Sequence, residues 1–391
     1  MRSMRENVEV VIIGSGPAGL TLANLLQRAG IGCVVLERQS RSYVEQRQRA
    51  GVLEHDGARV FEEWGLGESV LAGTSSDGRL EIRLDGRPRL FDVAALTDGR
   101  AGRVVPQQLL VKRLIATFLE GGGDLRFDAA EVTPHGLDRP TPSVTYTDAD
   151  GGRHEIACAY VAGCDGFHGV SRAGIPEGAL TTYTYDHGVA WLTVLADALP
   201  PRHALFGIHP AGFAAQFARG PRASRFYLEC GTADSLDEWG DERIWEQLRL
   251  RLGDPDLPTG PITEKLFVEM RCFVADPMSY GRLFLVGDAA HIITPMGGKG
   301  MNLAIADANV LAGGLRAALR EGDAGPLAAY SETCLKRVWD HQEFSRWMHE
   351  MMHEAGNATL AGPFRRQLAR ARLERLFASD AAARAFADLM A

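Results

Sequence analysis

Two glycine-rich turns, one opening at Gly14 and the other at Gly287, constrain this 391-residue chain more than any other feature. The first, Gly14-Ser15-Gly16-Pro17-Ala18-Gly19, follows Val8 to Ile13, a β-branched apolar run of the kind buried in parallel sheets. It precedes Pro17 to Arg28, whose apolar residues recur at helical spacing. Glycines at such a strand-to-helix turn let the backbone approach a pyrophosphate, whose charge faces the positive end of the helix. A second apolar run, Cys33 to Leu36, ends at Glu37, where a carboxylate can accept from ribose hydroxyls. Gly14, Gly16, Gly19 and Glu37 thus form a βαβ dinucleotide fingerprint.

The second turn specifies which dinucleotide. Arg282 to Val286 is another buried-strand run, and it delivers Asp288 to the strand end where α/β sheets bind ligands. An aspartate there can accept from a ribityl chain. Beyond Pro295, Gly297-Gly298-Lys299-Gly300 opens a helix beginning near Met301 and Asn302. Its free N–H groups and positive end suit the negative charge of a reduced flavin. One turn at the pyrophosphate and one at the flavin ring describe a single FAD held from both ends.

These motifs, with Leu36 to Gln39, Arg47 to Glu54, and Ala162 to Arg172 containing Cys164-Asp165-Gly166, make the chain similar to the class A flavoprotein aromatic hydroxylases over nearly its whole length. Within them it most resembles the 4-hydroxybenzoate 3-monooxygenase family. The resemblance implies an α/β fold: a Rossmann-type FAD-binding domain, a β-sheet substrate domain and a helical C-terminal segment. The FAD domain is expected to be discontinuous, over 1–73, 100–182 and 268–320, with the substrate domain over 74–99 and 183–267 and the helical region over 321–391. The expected chemistry is oxygen transfer from a flavin C4a-hydroperoxide to a small hydroxy- or amino-arene, benzoates included, with O2 and NADPH or NADH consumed. A homodimer is also expected. Asp165 and His168 are implied to serve FAD and NADPH. Arg38 falls, with Tyr43, on the segment that meets the NADPH 2′-phosphate, and Arg47, Arg49, Gln107 and Arg271 fall on further cofactor positions.

The substrate residues come from alternation combined with the resemblance. In Arg225 to Cys230, Arg225, Tyr227 and Glu229 share one strand face; in Phe213 to Arg219, so do Phe213, Ala215, Phe217 and Arg219. The resemblance assigns Arg225 to the flavin and Arg219 and Tyr227 to a substrate carboxylate, with Pro295 and Met296 beside the flavin-facing loop. Three positions depart from the family pattern. Phe206 stands where the 4-hydroxybenzoate enzyme has a proton-accepting tyrosine, Phe217 replaces a pocket serine, and Met390 replaces a second relay tyrosine. A phenyl ring or thioether cannot relay a proton. The substrate is then expected to be activated already, or another base such as His209 to act; Pro295, Tyr227 and His209 are the catalytic candidates.

The remaining sequence narrows the alternatives. A formal charge of −8 leaves no basic stripe to neutralise nucleic-acid phosphates, and 46% hydrophobic residues suffice for a substantial core. Six dispersed cysteines without a C-x-x-C pair, no signal-peptide pattern and no long apolar run lead to the expectation of a reduced, cytoplasmic, membrane-free protein. His349-Glu350-Met351-Met352-His353 has the H-E-x-x-H form of a zinc protease. Without supporting ligands in its surroundings it is read as part of an amphipathic helix, with no metal expected. An FAD-dependent dehydrogenase on the same fold is the other alternative.

Overall fold

The computed structural model describes residues 5–47, 51–74 and 78–391. Two eight-stranded sheets organise them. In the first, strands Leu283–Leu285, Arg153–Gly163, Arg5–Ile13, Cys33–Leu36 and Asp124–Arg126 run parallel in that order. Helix Pro17–Arg28 packs on this sheet and carries Leu20, Leu22, Leu25 and Leu26 at zero exposure. Each such burial is worth about 1.5–3 kcal/mol, so this helix is anchored by its apolar face rather than by propensity. Helix Lys299–Arg316 lies against it, and the two clasp the Gly287 turn between Ala18 and Ala304.

The second sheet is mostly antiparallel. Its order runs His291–Ile292, Ile262–Asp276, Thr181–Ala196, Ala223–Cys230, Gly212–Gly220, Ala204–His209, Arg79–Leu84 and Arg87–Asp92. Both faces are covered, which explains why Ala223–Cys230 and the first half of Gly212–Gly220 are buried in continuous runs rather than on alternate residues. Phe206, Phe213, Ala215, Tyr227 and Trp191 point to one core, shared with the C-terminal helices. Leu205, Ala214, Phe226 and Leu228 point to the other, under helix Asp241–Leu252.

The strands differ from the expected segment edges. Thr181–Ala196 and Ile262–Asp276 run continuously through the expected 182/183 and 267/268 boundaries, because the two pair over almost their full lengths. The C-terminal part comprises helices Tyr330–Glu354, Ala358–Ala378, interrupted at Gly362, and Asp380–Met390.

Candidate active site

The first turn is built by contact with the Asp-Gly segment. Gly14 has φ +102°, and a Cβ there would stand 2.5 Å from the Cys164 carbonyl oxygen, so only glycine lets the two motifs meet. Gly16, by contrast, faces open space, as a position meant for close approach by a ligand should. Glu37 accepts from the Ser15 N–H and hydroxyl, both at 2.8 Å, and from the Gln39 N–H, also at 2.8 Å. Asp165 uses one oxygen to accept from the Ser171 N–H and hydroxyl. Its other oxygen, Oδ1, is buried without a partner, and burial raises the Asp165 pKa. An orphaned acceptor beside an open glycine turn fits the hydroxyl-rich backbone of FAD.

The second turn is held by side chains drawn from distant parts of the chain. Asp307, fully buried, accepts from the Gly287 N–H at 3.1 Å and pairs with His291 Nε2 at 2.6 Å. The neighbouring carboxylate raises the His291 pKa in spite of burial. Gly298, at φ +69°, caps helix Lys299–Arg316, and no side chain competes for its first N–H groups. Asn302 accepts from the Glu54 N–H and donates to the Val52 and Gly298 carbonyls. Its side chain is therefore committed to shaping the loop, leaving backbone N–H groups for a ligand. Lys299 is buried and lies 2.5 Å from Glu54, whose pKa burial pushes up to about 7. Thr294 and Ser345 share a 2.5 Å hydroxyl contact, and Ser345 donates to the Met296 carbonyl, fixing the Pro295-Met296 segment to the long helix.

Beside this loop the second sheet presents an aromatic wall. Phe206 lies edge-on to Phe213 and Phe217, with ring centres 5.4 and 5.9 Å apart. Phe217 meets Tyr227 at 5.7 Å, and Trp191 stacks on Phe213 and tilts against Tyr227. Met296 and Met390 pack on the same cluster. Arg219 and Tyr227 stand side by side, and burial lowers the Arg219 pKa. Among the described residues Arg219 pairs with no carboxylate; its recorded hydrogen bond goes to its neighbour's carbonyl, Ala218. Arg225, in contrast, is buried and spoken for by Glu264 at 3.0 Å.

A family model described as FAD binding domain matches residues 7–345. The chain is 37% identical to a p-hydroxybenzoate hydroxylase of Acinetobacter baylyi, over 90% of this chain and 87% of that one. The chain belongs to the FAD-dependent aromatic hydroxylases. It is also 30% identical to a 3-(3-hydroxy-phenyl)propionate/3-hydroxycinnamic acid hydroxylase of Mycolicibacterium gilvum, over 82% of this chain but 55% of that longer protein. A p-nitrophenol 4-monooxygenase structure from Pseudomonas putida shares the fold, with a TM-score of 0.86 at 21% identity and 98% of both chains covered.

Several expected positions of this hydroxylase fall elsewhere than the wall and the two turns. Arg38, Arg47 and Tyr43 are exposed in the stretch that follows strand Cys33–Leu36, and His168 is exposed beside Phe167. Arg271 packs over the Phe167 ring, and Gln107 opens helix Gln107–Glu120. Arg49 lies outside the described residues. His209 has the opposite parity to Phe206 and sits at the hairpin end, where Nδ1 accepts the Ala211 N–H. Desolvation lowers its pKa, and its charged neighbours are Asp85 and Arg251 rather than any pocket group.

The hydroxylase uses its H-E-x-x-H run for packing. His353 accepts from the Trp191 Nε1–H at 2.8 Å and engages the His349 carbonyl through Nδ1, so neither ring nitrogen has a lone pair to spare. Glu350 faces Arg346 and Arg372 instead. Among the described residues no group of three His, Cys, Asp or Glu is arranged to hold a metal, and no helix is long and apolar enough to cross a membrane. Sequence reasoning missed the Asp307–His291 pair, the Lys299–Glu54 pair and Trp191. His291, inside the Gly-Asp-Ala-Ala-His motif, and Lys299, inside Gly297-Gly298-Lys299-Gly300, carried a local signal.

Proposed function

We propose that this hydroxylase acts on a small aromatic carboxylate whose ring is activated without a tyrosine proton relay, drawing reducing equivalents from NADPH or NADH. The observation that carries this is Arg219: a guanidinium with no carboxylate partner among the described residues, set beside Tyr227 at the rim of an otherwise apolar, aromatic wall. Such a cation fits a carboxylate through paired, charge-assisted hydrogen bonds. The rings of Phe206, Phe213 and Phe217 fit the arene and exclude water from its edge.

Bound FAD supplies the redox and oxygen-transfer chemistry, and Gly14, Gly16, Glu37, Asp165 and the Gly297–Gly300 loop are the residues that would hold it. The chain's own contribution is orientation: Arg219 and Tyr227 fix the carboxylate end, and Pro295-Met296, anchored by Ser345, bounds the flavin side. Arg38 and Tyr43, both exposed, are the proposed contacts for the nicotinamide cofactor's phosphate end. An amino group or a differently placed hydroxyl on the substrate would activate the ring without a proton acceptor at 206 or 390.

The test is a panel of hydroxy- and aminobenzoates assayed for stimulated NADPH and NADH oxidation, with product mass measured. Aminobenzoates or meta-hydroxybenzoates should give oxygenated product, and R219M should weaken their binding about 10- to 100-fold. Fast, coupled hydroxylation of 4-hydroxybenzoate by the wild type would sink the relay-free reading.

A further inference from the structure

A second cleft, of about 320 Å³, opens beside the Gly212 turn, and none of its lining residues is assigned above to FAD or to the arene. Its lining includes Val189, Trp239, Arg243, Arg251, Asn357 and Leu360. Arg251 is 8% exposed, yet among the described residues it forms no ion pair. Nη1 donates to the Glu229 carbonyl at 2.6 Å and the Phe213 carbonyl at 3.3 Å, and Nε to Gln247. Among the described residues its other terminal nitrogen has no acceptor. The Glu229 carboxylate is no substitute, since its oxygens accept from the Phe213 N–H and the Asn357 amide.

The seat of this guanidinium is built into the backbone. Gly212 has φ +117°, and a Cβ there would stand 3.0 Å from Arg251 Nη1. Any other residue would displace the guanidinium or strain the turn. A second guanidinium, Arg243, lies over the Trp239 ring at 4.2 Å on the cleft wall. Burial disfavours the charge on this guanidinium more than the nearby Glu229 and Asp234 carboxylates offset it, and a carboxylate from solution on its open edge would add a direct pair.

We propose that this cleft binds a small monocarboxylate with an apolar body. The planar edge of a guanidinium matches a carboxylate. Glu229 and Asp234 on the same lining disfavour a multiply charged anion such as phosphate. Val189, Leu360 and the Trp239 ring provide apolar surface for the rest of the molecule. Occupancy would be felt at the arene wall, because Arg251 and Glu229 together hold both the N–H and the carbonyl of Phe213, whose ring packs on Phe206 and Trp191.

Equilibrium dialysis of the FAD-loaded protein against benzoate, carried to millimolar concentration, tests this without reference to turnover. Wild type should bind two benzoates per chain and R219M one. R243A, a change at an exposed side chain, should weaken the second site about tenfold and leave the Arg219 site unchanged. R251K should weaken the same site while keeping the charge. A single benzoate in wild type that disappears in R219M overturns the proposal and leaves the Arg219 reading standing. Two benzoates indifferent to both R243A and R251K overturn it as well. A site that survives R219M and weakens in R243A supports it, even where wild type shows no binding at Arg219.

Discussion

Trp191 donates its indole N–H to Nε2 of His353 across 2.8 Å, and this one bond ties the arene wall to the helix that also anchors the Met296 segment through Ser345. Both partners are buried, so the bond has no water to replace it. H353L removes the acceptor while keeping an apolar side chain, leaving the indole N–H unpaired. The expected cost is about 1–3 kcal/mol, read as a lower urea midpoint at unchanged slope. Because Trp191 also stacks on Phe213, its fluorescence should change before global unfolding.

Acid should weaken the same region. His187, His349 and His353 form a column, with ring centres 4.1 and 4.0 Å apart, and burial lowers all three pKa values, that of His187 to about 4. The neighbouring charges are Asp186, Glu229, Arg346 and Glu350. The unfolded chain takes up protons near pH 6.5 while the folded column does not, so stability is complete above that pH. It falls as pH drops below about 6.5, toward about 4 in the case of His187, at about 1.4 kcal/mol per pH unit for each histidine that stays neutral in the fold. Thermal midpoints measured across this window should decline, and H349F should make the decline shallower. An unchanged slope in H349F would remove His349 from the account.

The Gly287 turn should depend on Asp307. D307A takes the acceptor from the Gly287 N–H and leaves His291 buried without its hydrogen-bonded carboxylate. Breaking a buried pair in this way costs about 3–5 kcal/mol, so the variant should lose FAD on dilution or gel filtration more readily than wild type. Retained flavin fluorescence, following release, gives the comparison directly.

What was legible in the sequence divides along physical lines. The nucleotide turn could be read because its parts are local: strand Arg5–Ile13, Gly14 to Gly19 and Glu37 lie within one βαβ unit. Tyr227 and Phe217 could be placed because strand parity is a property of the backbone. Parity also speaks against His209, three residues from Phe206, and the structure puts it on the turn accordingly. The pairs Glu54–Lys299, Asp307–His291 and Trp191–His353 were hidden because nothing in one partner's segment points to the other, and each gains meaning only when the fold brings the two together. Two long strands pair straight across the expected edges at 182/183 and 267/268, a continuity that no local feature of either segment announces.

The wall itself offers the sharpest test of substrate activation. Phe206 is 5% exposed within a cluster of rings, and Met390 reaches that cluster from the final helix; neither side chain can accept a phenolic proton. In wild type, 4-hydroxybenzoate should therefore bind, if at all, as the neutral phenol, with no phenolate band in its difference spectrum. F206Y/M390Y supplies two hydroxyls at those positions. It should shift bound 4-hydroxybenzoate toward the phenolate and raise its hydroxylation by about 10²-fold, the lower end of what a placed acid–base group contributes. Phe217 stays in place throughout, so a gain in binding without the phenolate band would assign the change to fit rather than to proton transfer. A phenolate band already present in wild type would mean that another group on this wall accepts the proton, and the relay-free substrate class would fall with it.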